Sequence, residues 1–558
     1  MHRAPNDVGN PEGRPDNDQR MRRDQSAIEL LFLARRVHTL RADCPRAEAI
    51  AISAGRIVAV GMRRQLLRLC QRGTRLVDVR PGVITPGLVD CHTHFLYWAL
   101  HRALTIDVCG LASLEAVVSR LRAQSRTRRV GEWVLARGYD HNLWGTGLPS
   151  AADLDRAVPD RPAIVRSRDG HSAWLNSLAL RRAGITRAKP DPPGGRYLRD
   201  RAGRPIGIVQ EAAVDLLPDP LREIARCTDS GTCRLIDRAL QAAYRTAWSY
   251  GIVGVHVMDD GASLGHLLRQ RNEGALGLRI VHALPLGDLD RAIALGLRSG
   301  FGDDWLRLGG VKIFADGALG SQTAFMFDCY PGRGRYRGVP TLIGKELRRA
   351  VERAVSNGWA VWIHAIGDRA VHEAVSAVSA ARRLGRPTLP HRIEHAQCVH
   401  PRDIRRMARA GIVASVQPAH ILGDIAVADR HWPRARRHAY PLRRFLEAGV
   451  RLALGSDVPV ESLDPRRAFF GAVNRFTLDR QPAGGWFPEQ CLTTEDVLRG
   501  FTQGAAAAGG MPDGGTLAVG APADLTIWET DPLEAPPGTL DQIGIRGCVV
   551  GGRLHLTE

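Results

Sequence analysis

The central part of the chain alternates short apolar runs with helical stretches, and this alternation limits the fold more than any other feature of the sequence. Helical stretches such as KELRRAVERAVSNG and PLRRFLEAG carry apolar residues at helical spacing. Eight strand–helix pairs predict a closed (β/α)8 barrel, whereas an open doubly wound sheet is the alternative. No glycine-rich dinucleotide fingerprint supports the open sheet. The candidate strands are a run that ends at His94, followed by runs at 251–258, 278–284, 309–315, 359–365, 391–396, 411–417 and 450–457.

Both ends of the chain are β-rich. The segment AEAIAISAGRIVAVG alternates apolar residues around Ala54-Gly55, which is typical of a hairpin. The other end contains GTLAVGAPADLTIWETDPL and IGIRGCVVGGRLHL. We therefore predict a composite β-sandwich built from residues 28–85 and 506–558, beside a barrel over residues 86–505. Two unrelated terminal hairpins are the alternative.

The connection between His94 and Gly251 is too long for a structureless loop and contains its own helix and strand candidates. We predict an inserted subdomain at about 107–235, which follows barrel strand 1 and helps to form the substrate pocket. Its candidate substrate-binding residues are His171, Trp174, Trp144 and Glu211. The tryptophans would suit an apolar or aromatic substituent, but most aromatic residues belong to a core, so subdomain core is the alternative.

The formal net charge of +19 and the isoelectric point near 10.3 raise the question of nucleic-acid binding. Almost all of the positive charge is arginine, because Lys189, Lys312 and Lys345 are the only lysines. The arginines are scattered, and no nucleic-acid-binding motif accompanies them. We therefore expect no nucleic-acid partner; steeply salt-dependent duplex binding would contradict this.

The remaining composition favours a reduced globular protein. The ten cysteines are dispersed without a Cys-x-x-Cys pair, so we expect free thiols that are mostly buried. Residues 1–27 are polar, without the apolar core of a secretory signal, which predicts a disordered tail. No apolar run approaches the length of a membrane span, and the expected location is the cytoplasm.

The first candidate strand, PGVITPGLVDCHTHF, ends in a His-x-His pair. Its apolar residues between 83 and 89 predict one buried strand. Because side chains alternate across a strand, His92 and His94 point to the same face. Two imidazoles therefore converge at the carboxyl end of a strand, where barrel enzymes keep their active sites.

Four other strand candidates also carry an ionisable residue at or near their carboxyl ends: Lys312, His364, His395 and Asp457. Such groups are costly to bury unless they are paired or bound to metal. Together with the His-x-His pair they predict a site for one or two divalent metal ions. Taken singly, Asp457 could cap a turn, His364 could be a core histidine, and His395 could pair only with Glu394.

Lys312 is the most informative of these residues, because the chain almost always uses arginine where it carries positive charge. A desolvated lysine can lose its proton, whereas arginine cannot. A neutral amine can add carbon dioxide to form a carbamate that bridges two metals. The alternative is a structural lysine that pairs with Asp316 or Glu211.

The sequence resembles the amidohydrolase superfamily of metal-dependent hydrolases and, within it, the YtcJ-like branch (amidohydrolase family 3). The resemblance extends from Ile28 to the end of the chain. It rests on TPGLVDCHTHF, DGHSAWLNSLAL, GGVKIFADGALGSQTA, WIHAIGDRAVHEAV, HRIEHAQ, ALGSDVPVESLDP and GTLAVGAPADLTIWE.

The resemblance implies a (β/α)8 barrel with a composite β-sandwich and hydrolysis of a carbon–nitrogen bond other than a peptide bond. It implies metal binding, with zinc as the expected ion, at His92, His94, His364, His395 and Asp457. Lys312 matches the position that is an N6-carboxylysine in many relatives. The expected substrate is a small amide-type molecule, and a homodimer is left open.

The mechanism that follows uses metal-activated hydroxide, with Asp457, His395 and Lys312 as the catalytic residues. Asp457 takes the proton and passes it to the leaving amine. The chain departs from the family pattern at VHVMDD, where relatives often carry aspartate directly after the histidine, so the role of His256 stays open. A catalytically inactive binding or regulatory protein on the same scaffold is the rival interpretation; it predicts lost ligands, and none is lost.

Overall fold

The structure is a computed structural model that describes residues 27–557, apart from 45, 128–132, 146 and 512–513. The predicted tail at 1–27 lies outside the described residues except for its last residue. Within the described part, three sheets organise the chain, and they have eight, six and eight strands.

The central sheet is a parallel barrel of eight strands, ordered as they occur along the chain. Between its first and last strands, Thr93 forms a parallel bridge with Val458, and the backbone N–H of His94 donates to the carbonyl of Val458 at 2.8 Å. These contacts confirm the predicted (β/α)8 barrel. Barrel strands 1 to 8 are Leu88–Thr93, Ile252–Val257, Arg279–Pro285, Leu306–Phe314, Val361–Ala365, Arg392–His395, Val413–Val416 and Leu452–Leu454.

The apolar run at 83–89 is two strands rather than the single strand that the sequence predicts. Val83–Pro86 belongs to the terminal sheet, and Leu88–Thr93 begins the barrel. Gly87 stands between them, and a Cβ there would lie 2.4 Å from the side chain of Val253. The chain thus changes sheets at a position where only glycine fits against barrel strand 2, and the apolar pattern does not register the change.

Helices cover the outside of the barrel, as amphipathic patterns predict. In Ser230–Ser249, the Asp229 carboxylate caps the first turn, and the buried residues Ile236, Leu240 and Tyr244 recur at helical spacing. The barrel-associated helices are Phe95–Leu104, Ser230–Ser249, Gly261–Asn272, Leu289–Ala294, Gly344–Ser356, Asp368–Ala381, Pro401–Ala410, Ile421–His431, Leu442–Glu447, Pro465–Asn474, Thr494–Arg499 and Ala505–Ala508.

The two ends of the chain share one sheet, which confirms the predicted composite domain. Leu525–Trp528 pairs antiparallel with Val83–Pro86 and so joins the termini. The predicted hairpin turns at Ala54 and Gly55, both at positive φ as a tight turn requires. One face is covered by the helix Arg63–Leu67. The strands form one hydrogen-bonded sheet: Leu30–His38, Arg46–Ser53, Arg56–Gly61, Arg75–Asp78, Val83–Pro86, Leu525–Trp528, Ile545–Val550 and Arg553–Leu556.

The insertion after barrel strand 1 has its own mixed sheet of six strands and a separate hydrophobic core. Arg137 of the insertion donates to the carbonyl of Pro459 at 2.6 Å, and Arg168 forms an ion pair with Glu461. These contacts hold the insertion against the loop after barrel strand 8. Its strands are Ile106–Asp107, Val134–Tyr139, Ala163–Ser167, Ser172–Leu175, Gly195–Arg199 and Pro205–Glu211, and its helices are Leu114–Gln124, Ala151–Ala157, Ser177–Arg182 and Pro220–Arg226.

Two expectations from composition can be compared with the structure. All ten cysteines are free thiols, but only Cys91, Cys398 and Cys548 are buried, so the expectation that most of them are buried is wrong. Among the described residues, no helix combines the length and the apolar character that crossing a membrane requires.

A substitution at Gly309 tests the packing inside the barrel. A Cβ at this position would lie 2.2 Å from the ring of Trp362, which is fully buried. We expect Gly309→Ala to lower the free energy of unfolding by about 1–3 kcal/mol, because overpacking a filled core forces strain. Urea unfolding measures the change.

Gly265 provides the matched control for this substitution. It lies in the helix Gly261–Asn272, is exposed, and has nothing within 4 Å of an added Cβ. Gly265→Ala should raise the free energy of unfolding by about 0.5–1 kcal/mol. Equal stability of Gly309→Ala and the wild-type protein would contradict the packing described for Trp362.

Candidate metal centre

A cavity of about 740 Å³ opens at the carboxyl ends of the barrel strands. Its wall contains all six residues that the sequence places at strand ends, together with two predicted substrate-binding residues from the insertion. These residues are His92, His94, Lys312, His364, His395, Asp457, His171 and Glu211. The parallel barrel thus brings residues that are hundreds of positions apart to one surface.

The tightest group consists of His92, His395 and Asp457, which each offer one ligand atom, all within 4.8 Å of one another. The Asp457 carboxylate lies at the middle of the site. Its Oδ1 is 3.4 Å from Nε2 of His92 and 3.7 Å from Nε2 of His94, and its Oδ2 is 4.0 Å from Nδ1 of His395. Imidazole nitrogens and a carboxylate oxygen at this separation are the donors that a zinc-class ion prefers.

Unpartnered nitrogens support the fit of a divalent cation. Nε2 of His92 and Nδ1 of His395 are buried and have no hydrogen-bond partner among the described residues. Burial and neighbouring positive groups hold the pKa of both imidazoles well below the usual value, so their rings are neutral at pH 7. A neutral imidazole carries the lone pair that a metal ion needs. Buried polar atoms are normally satisfied, so these two nitrogens are available to a ligand.

Lys312 is buried and faces the same cavity. Burial lowers its pKa to about 8, against the opposing effect of Glu394 and Asp457. About a tenth of the amine is therefore neutral at pH 7, whereas an arginine would stay fully charged.

The structural alternative for Lys312 was an ion pair with Asp316 or Glu211, and both carboxylates have other partners. Asp316 accepts three backbone N–H groups, from Phe325, Ile366 and Gly367, at 2.8–3.0 Å. Glu211 pairs with a histidine of the insertion at 2.9 Å.

His364 lies at the end of barrel strand 5, and its ring centroid is 4.5 Å from that of His395. Its Nε2 is 3.0 Å from the carbonyl of Gly317, which fixes Nε2 as the donor nitrogen. Nδ1 is then left as the nitrogen with the lone pair.

Several residues at the site have a left-handed backbone conformation. His395, Ala396, Asp457 and Glu211 all have φ between +42° and +70°, where non-glycine residues are rare. Each such residue costs on the order of 1–3 kcal/mol and persists only where its surroundings impose it. At His395 this conformation interrupts the alternation of side chains at the end of barrel strand 6.

His171 and Glu211 reach the cavity from the insertion and form an ion pair, with Nδ1 and Oε2 separated by 2.9 Å. Burial opposes the charge on His171, but Glu211 outweighs it and raises the pKa of the imidazole to about 9. The centroid of the His171 ring is 6.2 Å from that of His364. The insertion therefore places a protonated imidazole beside the barrel residues.

The prediction that Trp144 and Trp174 line the pocket is wrong, because the structure places both rings in the core of the insertion. Trp174 is fully buried, and its indole N–H donates to the carbonyl of Ser150 at 2.7 Å. The indole N–H of Trp144 donates to the carbonyl of Leu111 at 3.0 Å. The alternative stated for these tryptophans, that they belong to the core of the inserted subdomain, is therefore correct.

Sequence reasoning missed three residues that contact this centre. His420 follows barrel strand 7, and its unpartnered Nε2 lies 3.6 Å from Oδ2 of Asp457. Glu394 accepts a hydrogen bond from Nδ1 of His92 at 2.7 Å, and Asp259 lies 3.3 Å from Nδ1 of His94. The rule that strand ends carry active-site residues would have found His420, four residues after barrel strand 7 ends.

The open question at VHVMDD has a structural answer. His256 is fully buried, and its Nδ1 accepts a hydrogen bond from Arg392 at 2.9 Å, so it does not line the metal-side cavity. Asp259, rather than the residue directly after the histidine, reaches His94.

Eight parallel strands with histidine, lysine and aspartate side chains gathered at their carboxyl ends define a (β/α)8 protein whose polar centre can hold a divalent cation. The sequence pattern of the amidohydrolase family matches residues 75–555. The chain belongs to this family, which confirms the resemblance seen in its motifs.

Known relatives and solved structures agree with this assignment. The Bacillus subtilis protein YtcJ is 28% identical over 529 residues, which cover 93% of this chain and 97% of that protein. An N-substituted formamide deformylase of Arthrobacter pascens is 27% identical over 542 residues, or 94% of this chain and 98% of that protein. An uncharacterized metal-dependent hydrolase from Pyrococcus furiosus matches with a TM-score of 0.71 and 26% identity, covering 90% of this chain and 100% of that chain.

The ion pair between His171 and Glu211 predicts a pH-dependent stability difference. The folded-state pKa of His171 is raised to about 9, above an unfolded value of about 6.5. The stabilisation is therefore fully present below about pH 6.5 and is lost as the pH rises through about 9. We expect metal-free Glu211→Gln to melt below the wild-type protein at pH 6, with the difference shrinking by pH 9. Thermal melting across this range measures it.

Glu223→Gln is the control, because Glu223 is an exposed residue of the insertion helix Pro220–Arg226. Its melting temperature should follow that of the wild-type protein at every pH. If the difference in melting temperature between Glu211→Gln and the wild-type protein stays constant or widens towards pH 9, this result would contradict the charged ion pair.

Proposed function

We propose that the chain is a divalent-metal-dependent hydrolase that cleaves a carbon–nitrogen bond other than a peptide bond, in a small amide or formamide. The observation that carries this proposal is the group of His92, His395 and Asp457 at the cavity floor, with two buried imidazole nitrogens that lack partners. Membership of the amidohydrolase family supports the same chemistry.

In this proposal His92, His94, His364, His395 and Asp457 hold one or two zinc ions. The neutral amine of Lys312 would add carbon dioxide, forming a nitrogen–carbon bond and releasing one proton, and the resulting N6-carboxylysine would supply a further carboxylate donor for the ions. The buried side chain and the pKa near 8 make this amine available. The donors are imidazole nitrogen and carboxylate oxygen, which suit zinc.

A bound divalent ion would supply Lewis acidity, both to the carbonyl oxygen of the substrate and to the attacking water. Asp457 transfers the proton from the attacking water to the leaving nitrogen. Burial raises the pKa of its carboxyl to about 6, while His94 and Lys312 oppose the rise. A carboxylate with this pKa can take a proton from the attacking water and return it to the leaving nitrogen near neutral pH. Nε2 of His92 lies 3.4 Å from Oδ1 of this carboxylate, and Nε2 of His420 lies 3.6 Å from its Oδ2.

The cavity sets the size of the substrate. Its volume of about 740 Å³ suits a small molecule rather than a folded partner. His171 and Glu211 present polar atoms from the insertion side, where they can contact the substrate's polar groups. Part of the wall is apolar and would accept a substituent on nitrogen; it consists of Leu148, Leu198, Phe314, Leu319, Val339 and Val427. The similarity to an N-substituted formamide deformylase supports substrates of this shape.

The activity test uses zinc-loaded protein with a panel of N-substituted formamides, simple amides and a dipeptide. We expect release of formate or carboxylate and amine from at least one formamide or amide, and none from the dipeptide. Asp457→Asn should lower kcat by about 10²–10⁴-fold, because the proton acceptor is removed.

Asp403→Asn is the matched control. Asp403 is equally buried, but it pairs with Arg406 and His372 away from the cavity, so its kcat should stay close to that of the wild-type protein. Wild-type turnover in Asp457→Asn, or no hydrolysis of any formamide or amide by the zinc-loaded protein, would contradict the proposed reaction.

A further inference from the structure

The barrel interior contains a fully buried guanidinium, that of Arg392 on barrel strand 6. Its Nη2 donates to the carbonyl of Cys91 at 2.6 Å and to Oγ of Ser415 at 3.0 Å. Its Cζ lies 3.9 Å from the ring centroid of Trp362. Arg392 thus contacts barrel strands 1, 5 and 7 at once, in a region that barrels normally fill with apolar side chains.

The counter-charge for this guanidinium is Glu394, which is also fully buried. Nε of Arg392 is 2.8 Å from Oε1, and Nη2 donates to Oε2 at 3.1 Å. A buried charge is costly unless it is paired and hydrogen-bonded, so each residue requires the other. A lysine could not replace the arginine, because the contacts use several donors of one rigid plane.

Glu394 connects this pair to the candidate metal centre. Its Oε2 is 2.7 Å from Nδ1 of His92, and a carboxylate can only accept, so Nδ1 must carry the proton. Nε2 then keeps the lone pair, and this nitrogen lies 3.4 Å from Asp457. The carboxylate therefore fixes both the tautomer and the orientation of the ring that faces the site.

At the other end of the chain of contacts, His256 of barrel strand 2 accepts a hydrogen bond from Nη1 of Arg392 at 2.9 Å. The imidazole is fully buried and adds no charge to the barrel core, since it accepts through a lone pair. It holds the plane of the guanidinium in the orientation that Glu394 needs. This series of contacts, from His256 through Arg392 and Glu394 to His92, crosses the barrel interior.

We propose that Arg392 and Glu394 are positioning residues, supported by His256, which set the tautomer and orientation of His92 for metal binding. This inference rests on the proposed function, because it requires a metal at His92. It assigns no contact between these residues and the substrate. Buried ion pairs seldom add net stability. In this proposal the pair instead has a role in metal binding.

The test measures Co²⁺ binding to the metal-free full chain by competition with a chelator, together with the visible spectrum of the bound ion. We expect Glu394→Gln to bind Co²⁺ about 10–100-fold more weakly and to change the spectrum, because an amide can donate to Nδ1 as well as accept from it. Arg392→Lys should shift both readouts in the same direction, since Glu394 then loses its planar partner.

Arg475→Lys is the matched control. Arg475 is fully buried and lies over Trp486, but its hydrogen bonds go to backbone carbonyls of Trp486 and Tyr440. It should lose stability and keep wild-type Co²⁺ affinity and spectrum. Equal weakening in Arg475→Lys and Glu394→Gln would show a general effect of destabilisation and overturn the positioning role.

The outcomes separate this inference from the proposed function. A wild-type protein that binds no Co²⁺ overturns the proposed function and the inference together. Wild-type affinity and spectrum in Glu394→Gln overturn the inference alone. If both variants fail to fold, nitrogen NMR of histidine-labelled, metal-free wild type decides: the proposal requires the His92 proton on Nδ1, and a proton on Nε2 would refute it.

Discussion

The closure of the barrel between its first and last strands is the interaction on which both the fold and the site depend. The backbone N–H of Asp457 donates to the carbonyl of His92 at 2.8 Å, and Asp90 accepts from the backbone N–H groups of Ser456 and His92. Burial raises the pKa of Asp90 to about 7, so these donors are needed to keep its carboxylate in the interior. The same few bonds close the sheet and bring the two ends of the proposed metal site together.

Burial then determines the chemical state of the gathered residues. Removing water holds the pKa of His92, His364 and His395 well below the usual value and lowers that of Lys312 to about 8, while it raises that of Asp457 to about 6. These three imidazoles are thus neutral nitrogen donors, and they lie beside a carboxyl group that can exchange a proton near neutral pH. The insertion adds to this by holding the loop after barrel strand 8, through the contact of Arg137 with Pro459.

Much of the site was predictable because the carboxyl ends of the strands in a parallel barrel lie next to one another in space. That logic placed His92, His364 and Asp457 at one surface from apolar runs alone. It failed where local geometry breaks the strand pattern. Glu394 and His395 are adjacent, so alternation would put them on opposite faces, but the positive φ of His395 lets both serve the same site.

Other features depend on contacts that no local pattern reports. Whether Trp144 and Trp174 face a pocket or a core is decided by how the insertion sheet folds over its own helices, and an apolar run cannot show that it changes sheets at Gly87. The hydrogen bond between His92 and Glu394, which joins residues 302 positions apart, is a long-range contact of this kind. Sequence therefore predicted the barrel and its strand-end residues, but not the residues that orient them.

The central claim is that this chain binds divalent metal at the barrel mouth with Lys312 in the site. The most direct measurement is the metal content per chain by elemental analysis, on protein purified without added metal or chelator, for the wild type and Lys312→Ala. The account predicts about two zinc-class ions per wild-type chain, as a carboxylysine-bridged site would hold, and fewer in the variant. A wild-type protein that contains no metal and takes up none on reconstitution would contradict the account.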